Sequence, residues 1–390
     1  MKQAASLERR GIRSAVLADG RLVTARTVMA GEAEKAPAGI PTARIRQGPL
    51  RRLWSHARSN TVAAPLEAII FIAWLGLFVW RWFLRVVPLL PPADVYILHE
   101  FSQFPAVWLA ARRYRSHLVY DVHDYYTGIE AEDRKSRFDR RWLTPFFRCV
   151  ETRCMRSADQ VWTVSPQLAE LLEKTYGRRA TVIRNCHDFR LDEAPAPEND
   201  LRRRLGLADD DFLLLTIGNC KPGQAIAAAF EALGRLPENV HLAFLGGGYE
   251  AHRSDAASRH LEHRVHLLGR IAPDRIVPLA CGADAGLILY YPRSANYLCA
   301  LPNGFFQSLA AGLPLIAPTL PSIRHLVEEF GSGLIIDVSD PEQLENAVHL
   351  LLKDGGPMES FRAGSRNARR VLNWENEEAL MIRSLATAHP

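Results

Sequence analysis

The sequence predicts an α/β protein with two domains, each built around a parallel sheet. Short apolar runs alternate with stretches of helical periodicity in both halves of the chain. A length of 390 residues is more than one hydrophobic core usually serves. An acidic, proline-rich segment at residues 192–200 separates the two halves, and this composition is typical of a linker.

The first half begins with a predicted helix at residues 1–10, which Gly11 is expected to end. A further helix is predicted to start at Ser165 and Pro166, between the last two strands of this half. We expect residues 1–190 to form the first domain. Its strands are predicted at residues 13–17, 42–45, 94–98, 117–124, 159–164 and 180–183.

The second half repeats the alternation, with helical patterns that include residues 225–236 and 341–352. We expect a linker at residues 191–208, a second domain at 209–360 and a C-terminal helix at 361–390. Two α/β domains joined by a linker are typical of an enzyme whose domains face a cleft. The strands are predicted at residues 212–217, 240–245, 264–268, 285–290, 313–317 and 334–337.

Composition narrows the class of protein. Hydrophobic residues make up 48% of the chain and charged residues 23%, as in folded proteins that are not embedded in a membrane. The 48 basic and 43 acidic residues leave an excess too small to indicate nucleic-acid binding. The six cysteines are scattered without CxxC spacing, which favours reduced thiols and a cytoplasmic location.

One apolar segment raises the question of a membrane. Residues 69–80 carry no charge, and Trp74, Trp80 and Trp82 beside Arg81 and Arg85 resemble the aromatic belt of a membrane interface. The segment is shorter than the roughly 20 residues that a spanning helix needs. A buried helix and a helix that docks on a membrane surface through residues 69–85 both remain open, and a true span is the least favoured interpretation.

Residues 296–318 read as a polar loop, a short helix and a buried strand. Pro302 and Asn303 are suited to start the helix, and Gly312 is suited to end it. A loop that enters a helix N-terminus presents free N–H groups and a positive dipole end, which suits a diphosphate. An ordinary loop–helix–strand crossover is the alternative.

Glycine turns follow three predicted strands of the second half. Gly218 begins the turn that carries Lys221, Gly246 begins a run of three glycines, and Arg270 follows Gly269. Glycine-rich turns after strands allow phosphate groups to approach the backbone closely. Since the carboxyl ends of parallel strands share one edge of a sheet, we expect these turns to lie together. Each turn alone is equally consistent with a plain connection.

In the first half, His123 is the candidate catalytic residue. It follows a predicted strand between Asp121 and Asp124, and the preceding strand ends at His99. Ligands of doubly wound sheets bind beyond the carboxyl ends of strands. The alternative is a histidine that only bonds to its neighbours. Four further histidines, at 252, 260, 263 and 266, are interpreted as a solvated helix end rather than a metal site.

These motifs resemble the family 4 glycosyltransferases, retaining sugar-nucleotide enzymes of the GT-B fold, which has two Rossmann-like doubly wound domains facing a cleft. The resemblance covers nearly the whole chain and is more specific in the second half. It rests on KQAASLERRG (2–11), YDVHD (120–124), ADQVWTVS (158–165), IG (217–218), LPN (301–303), AAGLP (310–314), GSG (331–333) with Asp337, and WE (374–375).

The resemblance implies roles for individual residues. His123 matches the histidine that faces the donor sugar and the acceptor. Leu301 to Asn303 match the loop whose backbone meets the diphosphate, and Gln307 and Cys299 match a pair of glutamates that hold the ribose and the sugar hydroxyls. Such enzymes use no bound metal, because helix ends and basic side chains offset the diphosphate charge. The closing helix, from residue 374, is expected to cross back to the first domain.

Several positions depart from the family pattern. Both glutamates are replaced, and a thiol at Cys299 is a poor substitute for a carboxylate. Asn219 stands where an arginine is common, Gln224 where a second basic residue belongs, and Gly304 where a lysine is common. The family's first strand and glycine loop have no counterpart before residue 2, so we expect the natural protein to start upstream or this chain to be impaired.

The leading hypothesis is transfer of a hexose, with retention, from a nucleotide diphosphate sugar to a glycan or lipid-linked acceptor. The alternatives are a non-catalytic GT-B relative that binds a sugar nucleotide or a partner, and a sugar-nucleotide epimerase of similar architecture. A nicotinamide enzyme is disfavoured because no GxGxxG follows a strand.

Overall fold

The computed structural model describes residues 2–18, 21–24, 64–84, 86–125, 138–192 and 200–387. The chain divides into two compact units. The first comprises Met1–Thr163, Ala169–Val182 and Ser384–Pro390, and the second comprises Val164–Leu168 and Ile183–Arg383. The strand predicted at residues 42–45 lies outside the described residues.

The first unit contains a four-stranded parallel sheet in the order β3-β4-β5-β6. β4 is buried almost throughout because it lies inside the sheet, which explains its continuous apolar run. The four strands predicted for this part of the chain are confirmed. They are β3 (Val95–Leu98), β4 (His117–Val122), β5 (Gln160–Thr163) and β6 (Thr181–Val182).

The strand predicted at residues 13–17 also exists, but it does not join the parallel sheet. β1 (Ala15–Ala18) pairs with β2 (Arg21–Thr24) in an antiparallel hairpin, with Val16 opposite Val23. The intervening sequence, Asp19-Gly20, is typical of two-residue hairpin loops.

Helices of the first unit pack against its sheet with their apolar faces. α3, for example, buries Phe104, Val107 and Ala110 and ends where Arg115 adopts a left-handed conformation. The described helices are α1 (Lys2–Arg9), α2 (Ala64–Phe78) continued by a π-helix (Val79–Leu84), 3-10 turns at Val87–Leu89 and Phe101–Gln103, α3 (Phe104–Tyr114), a π-helix (Asp139–Leu143) that leads into α4 (Thr144–Ser157), and α5 (Pro166–Tyr176), whose first residues cluster with the second unit.

The second unit contains a six-stranded parallel sheet in the order β12-β11-β10-β7-β8-β9. The chain starts in the middle at β7, adds strands on one side and then on the other, which is the doubly wound topology predicted from the sequence. All six predicted strands are confirmed. They are β7 (Phe212–Ile217), β8 (Val240–Leu245), β9 (Val265–Gly269), β10 (Ala285–Leu287), β11 (Leu315–Pro318) and β12 (Gly333–Ile336).

Helices cover both faces of this sheet. Leu214 and Phe244 face one hydrophobic cluster, and Leu215 and Leu245 face another, because side chains alternate along each strand. The helices are α6 (Asp200–Leu205), α7 (Ile226–Arg235), a 3-10 turn (Tyr249–His252) leading into α8 (Arg253–Ser258), α9 (Pro273–Ala280), α10 (Ala295–Cys299), α11 (Asn303–Ala310), α12 (Pro321–Phe330), α13 (Pro341–Leu352), α14 (Met358–Val371) and α15 (Trp374–Ala386), with a further 3-10 turn at Phe189–Leu191.

Two details concern segments that connect the predicted domains. α6 lies within the residues predicted as a linker, and Leu201 is completely buried against the second unit's sheet. At the other end of the chain, Ser384 belongs to the first unit, where its carbonyl oxygen accepts a hydrogen bond from Gln160 and its hydroxyl accepts one from Trp162. In the described part of the chain, no helix is both long and apolar enough to cross a membrane.

Candidate active site

The three glycine turns of the second unit lie side by side, as the sequence predicts. The N–H of Gly218 donates to the carbonyl oxygen of Leu245, and Gly246 bridges to Gly269. A Cβ atom on Gly246 would lie 2.0 Å from the carbonyl oxygen of Gly218. The backbones of the first two turns therefore approach as closely as they do because neither position carries a side chain.

The turn at residues 218–224 is held in place by hydrogen bonds. Asn219 Oδ1 accepts a bond of 2.9 Å from the N–H of Gly247, and the N–H of Cys220 donates over 2.9 Å to the Gly247 carbonyl oxygen. Gln224 donates to the hydroxyl of buried Tyr249 over 3.1 Å. Asn219 and Gln224, where the resemblance implies basic residues, thus fix the shape of the turn.

The N-terminus of α11 lies against the end of β7, immediately before the first glycine turn. A Cβ atom on Gly304 would lie 2.1 Å from the carbonyl oxygen of Ile217, so a side chain does not fit there. Pro302 precedes the helix without a side-chain cap, which leaves its first N–H groups available. These N–H groups and the positive end of the helix dipole therefore lie beside the Gly218 turn.

The other predicted donor-binding residues lie on α11 or in the short segment that precedes it. Leu301 is buried, and exposed Asn303 accepts a hydrogen bond of 3.0 Å from Asn185 through Oδ1. Gln307 is half-buried on α11. Cys299, the last residue of α10, is buried, and its carbonyl oxygen accepts a bond of 2.7 Å from Ser165 of the same unit.

Two cationic side chains complete this edge of the sheet. Lys221 is exposed in the first turn, and Arg270 is exposed after β9. The Arg270 side chain lies against Gly247, since a Cβ atom there would come within 2.8 Å of its Nε. The second unit therefore brings together glycine turns, a helix N-terminus and positive charge, which is chemistry suited to a diphosphate.

His123, the predicted catalytic residue, belongs to a separate cluster in the first unit. The register of the parallel strands pairs Leu98 with Tyr120, so the next residues along, His99 and Asp121, come side by side. Asp121 Oδ2 lies 3.0 Å from His123 Nε2 and 3.2 Å from His99 Nδ1. Gln3 of α1 donates to the same oxygen over 2.7 Å.

Asp121 is 1% exposed, whereas the two histidines are 36% and 47% exposed. Burial alone would raise the pKa of Asp121, but the hydrogen bonds and charges of His123 and His99 hold it far below its ordinary value. Burial would lower the pKa of His123, yet its hydrogen bond to Asp121 and the charge of that carboxylate raise it. The carboxylate therefore remains ionised and orients the exposed ring of His123.

The sequence did not identify every member of these clusters. His99 is expected only as a strand end, neither it nor Asp121 is a predicted site residue, and nothing in the sequence points to Gln3. The pairing of β3 with β4 is what brings His99 beside Asp121. The sequence signal for this pair is the polar residue that follows each of two adjacent strands.

The histidines dismissed as a metal site do not converge within the described residues. His266 pairs with His241 over 3.1 Å, and His263 lies 3.3 Å from Glu238. Cys220 lies 3.6 Å from His252. His260 and His263 are exposed, whereas His266 is half-buried on β9 and does not lie at a helix end.

Comparison with known proteins gives the family. Residues 1–186 match the model of the glycosyl transferase 4-like domain, and residues 197–370 match that of the glycosyl transferases group 1. The chain is 29% identical over 311 residues to the D-inositol 3-phosphate glycosyltransferase of Xylanimonas cellulosilytica, covering 76% of this chain and 72% of that protein. It is 26% identical over 310 residues to the enzyme of the same name from Thermomonospora curvata, covering 72% and 68%.

Solved structures agree on the fold. A sucrose-phosphate synthase from Thermosynechococcus elongatus superposes with a TM-score of 0.62 at 19% identity, covering 83% of this chain and 79% of that one. HepE of Anabaena in complex with UDP-glucose gives a TM-score of 0.60 at 18% identity, with coverages of 83% and 82%. The two family matches together span most of the sequence, and both sheets have the parallel architecture that such enzymes share, so the chain belongs to the family 4 glycosyltransferases of the GT-B fold.

Proposed function

We propose that this chain transfers a hexose, with retention of anomeric configuration, from a nucleoside diphosphate sugar to a glycan or lipid-linked acceptor. The observation that carries the proposal is the N-terminus of α11 beside the Gly218 turn. Free N–H groups and a helix dipole stabilise a diphosphate both as a bound ligand and as a departing group.

The donor part of the proposal is supported by the neighbouring cations. Lys221 and Arg270 are exposed at the same sheet edge, where they can offset the charge that develops on the leaving diphosphate. The helix dipole and these two side chains would serve in place of a metal ion, so we propose transfer without a bound metal. HepE, a protein of the same fold, is known in complex with UDP-glucose.

His123 is the proposed hydrogen-bonding partner of the reacting sugars. Its ring is about one-third exposed, and Asp121 fixes its orientation because Oδ2 accepts a hydrogen bond from His123 Nε2. An oriented imidazole beside a buried carboxylate is suited to bind a hydroxyl group of the sugar.

A thermal-shift screen with UDP-, GDP- and ADP-hexoses tests donor binding. A ligand that binds only the folded state raises the melting temperature, and we expect one nucleotide series to do so. Lys221→Ala should weaken binding of that donor about tenfold, by loss of one charge-assisted hydrogen bond. Lys353→Ala, which changes an exposed lysine after α13, is the matched control and should leave the affinity unchanged. No shift with any sugar nucleotide would contradict the proposal.

The buried thiol of Cys299 favours a second candidate, a non-catalytic relative that binds the sugar nucleotide. A thiol is a weak hydrogen-bonding group and cannot hold sugar hydroxyls as a carboxylate does. Turnover separates the two candidates. Consumption of the donor, with a product whose anomeric configuration is that of the donor, supports the retaining transferase. Binding without consumption supports the second candidate. Isomerisation of the sugar without transfer would favour the epimerase.

We also propose that α2 and the π-helix after it dock on an anionic membrane surface. One side of α2 packs on an aromatic cluster: Phe71 lies 5.2 Å from the Trp142 ring, and Trp74 lies 5.4 Å from Phe146. Trp74 therefore belongs to the packed face, and not to a membrane-facing belt. The opposite side exposes a row of large apolar side chains: Leu66, Ile69, Ile72, Leu77, Val79, Trp80 and Leu84.

Neighbouring charge supports a lipid surface as the occupant of this row. The π-helix Asp139–Leu143, which packs on α2 through Trp142, carries Arg140 and Arg141, both exposed. The carboxylate of Glu67 on α2 is buried against Trp142, so it does not add negative charge to the surface. Exposed apolar side chains with arginines on a neighbouring helix bind anionic bilayers through burial and charge together.

Flotation with vesicles tests this docking. Wild-type protein should float with vesicles that contain anionic lipid and less with neutral ones. The double variant Ile69→Ser, Ile72→Ser removes the two most exposed apolar side chains of the row and should abolish flotation. Leu350→Ser is the control, because Leu350 is an exposed leucine on α13 and does not belong to this row; the variant should float like wild type. Equal flotation of all three proteins would overturn the docking proposal.

A further inference from the structure

The cluster at the ends of β3 and β4 contains three atoms that converge on one point. His99 Nδ1, Asp121 Oδ2 and His123 Nε2 lie 3.2, 3.2 and 3.0 Å from one another in pairs. Each of these atoms is a potential metal ligand. The three side chains come from adjacent parallel strands whose pairing fixes their separation.

These separations match those of ligands around a small divalent ion. With metal–ligand distances of about 2.0–2.1 Å, neighbouring ligand atoms lie about 3.3 Å apart in a tetrahedron and about 3.0 Å apart at adjacent octahedral positions. The observed distances lie between the octahedral and the tetrahedral values, so an ion fits with little movement of the side chains.

The carboxylate at the centre is incompletely compensated by hydrogen bonds. Asp121 Oδ2 is shared by three nitrogen atoms, whereas Asp121 Oδ1 is buried and has no hydrogen-bond partner among the described residues. A buried carboxylate needs a nearby positive charge, and a cation at Oδ2 supplies it. Gln3 would then donate to the ligating oxygen and hold its orientation, as outer partners of metal ligands commonly do.

The donor atoms select the class of metal. Two imidazole nitrogens and one carboxylate oxygen suit zinc and related first-row ions, whereas magnesium and calcium prefer oxygen ligands throughout. Three protein ligands leave a coordination position open.

We propose that His99, Asp121 and His123 form a binding site for a divalent transition-metal ion of the zinc type, with one position open. Binding itself does not depend on the proposed transferase reaction. The expected inhibition by zinc does depend on that reaction. An ion on His123 Nε2 replaces the hydrogen bond to Asp121 and occupies the space in front of the ring. Zinc should therefore inhibit transfer reversibly.

Titration calorimetry of the full-length, chelator-treated protein with Zn²⁺ tests the site. One ion per chain should bind, and Co²⁺ should give the intense visible absorption of a low-coordinate nitrogen–oxygen site. His99→Asn should weaken zinc binding at least about 100-fold, since it removes one of three ligands. His99 is about half exposed, so this variant is expected to fold.

His241→Asn is the matched control. His241 also lies about 3 Å from a second histidine, His266, but Asp211 contacts its other ring nitrogen, so three ligand atoms do not converge there. This variant should bind zinc like wild type. A wild-type protein that binds no stoichiometric zinc, or a His99→Asn protein that binds it unchanged, would overturn the proposal.

Two further readouts keep the outcomes distinct. Zinc should shift the imidazole NMR signals of His99 and His123 in the wild-type protein, a result that requires no variant, and shifts confined to other histidines would refute the site. Zinc bound at these residues without inhibition would leave the metal site standing and contradict the role of His123 in transfer. Inhibition that a chelator reverses supports both.

Discussion

At the residue scale, the environment of Asp121 determines what His123 can do. A carboxylate with 1% exposure is expensive to bury, and the protein offsets this with nitrogen donors from Gln3, His99 and His123. The same contacts hold the pKa of Asp121 low and that of His123 high, as described above. His123 is thereby presented to the solvent in one orientation.

Replacement of His123 by asparagine should lower the rate of transfer about 100-fold, because an amide cannot reproduce the position of the ring nitrogens. Donor affinity, measured by the thermal shift, should remain, since the glycine turns belong to the second unit. His263→Asn, at an exposed histidine, should leave both quantities unchanged. Unaltered transfer by His123→Asn would remove this residue from the mechanism.

His266 makes stability depend on pH. Its pKa is lowered from 6.5 to about 4, mainly by burial and in part by His241, whereas Asp211 acts in the opposite direction. The unfolded chain therefore binds the proton more readily, so this contribution to stability is complete above pH 6.5 and is lost as the pH falls towards 4.

Denaturant unfolding at several pH values tests this residue. Between pH 7 and pH 4, the free energy of unfolding of wild type should fall by roughly 1–3 kcal/mol more than that of His266→Gln. Glutamine keeps a polar side chain but does not titrate. Identical slopes for the two proteins would show that His266 does not carry the effect.

At the element scale, the contact between α11 and β7 explains an apparent departure from the family pattern. A lysine after the Pro-Asn pair is common in the family, but Gly304 occupies the position here. The helix approaches the Ile217 carbonyl oxygen so closely that a Cβ atom would overlap it. A glycine at this position lets the helix N-terminus lie directly beside the Gly218 turn.

Gly304→Ala should therefore destabilise the protein by about 1–3 kcal/mol, the usual cost of overpacking, and should weaken donor binding. Gly234→Ala is the control, because Gly234 lies in α7 with open space around its Cβ direction. That change should stabilise the protein by up to about 1 kcal/mol through helix propensity. Thermal denaturation and donor titration of both variants measure the difference; equal stabilities would refute the close contact.

At the scale of the whole molecule, the two units have separate hydrophobic clusters. Phe138 and Leu143 centre one cluster in the first unit, and those around Phe244 and Leu215 belong to the second. Since the proposed donor-binding features lie in the second unit, a bound sugar nucleotide should stabilise that unit directly.

Hydrogen exchange with and without the bound nucleotide tests this expectation. Amides at residues 218–224, 246–248 and 301–307 should exchange more slowly with donor present, because the ligand contacts their N–H groups. The amides of β3 and β4 serve as the internal reference and should change least. Protection centred on β3 and β4 instead would place the donor site in the first unit.

The sequence alone determined the fold class and the strands of both sheets, because an apolar run of four to eight residues bounded by turns is a local signal. It also located the glycine turns and the start of α11, since Gly, Pro and Asn act through their own backbone preferences. The family resemblance adds expected roles for individual residues of these features.

Tertiary structure decided the rest, because those features depend on residues far apart in the sequence. Gln3 reaches Asp121 across 118 positions, and strand register sets His99 beside it. The clash that requires Gly304 arises from the carbonyl oxygen of Ile217 on another element. Local patterns specify which elements form, whereas the packing of those elements specifies which side chains share a site.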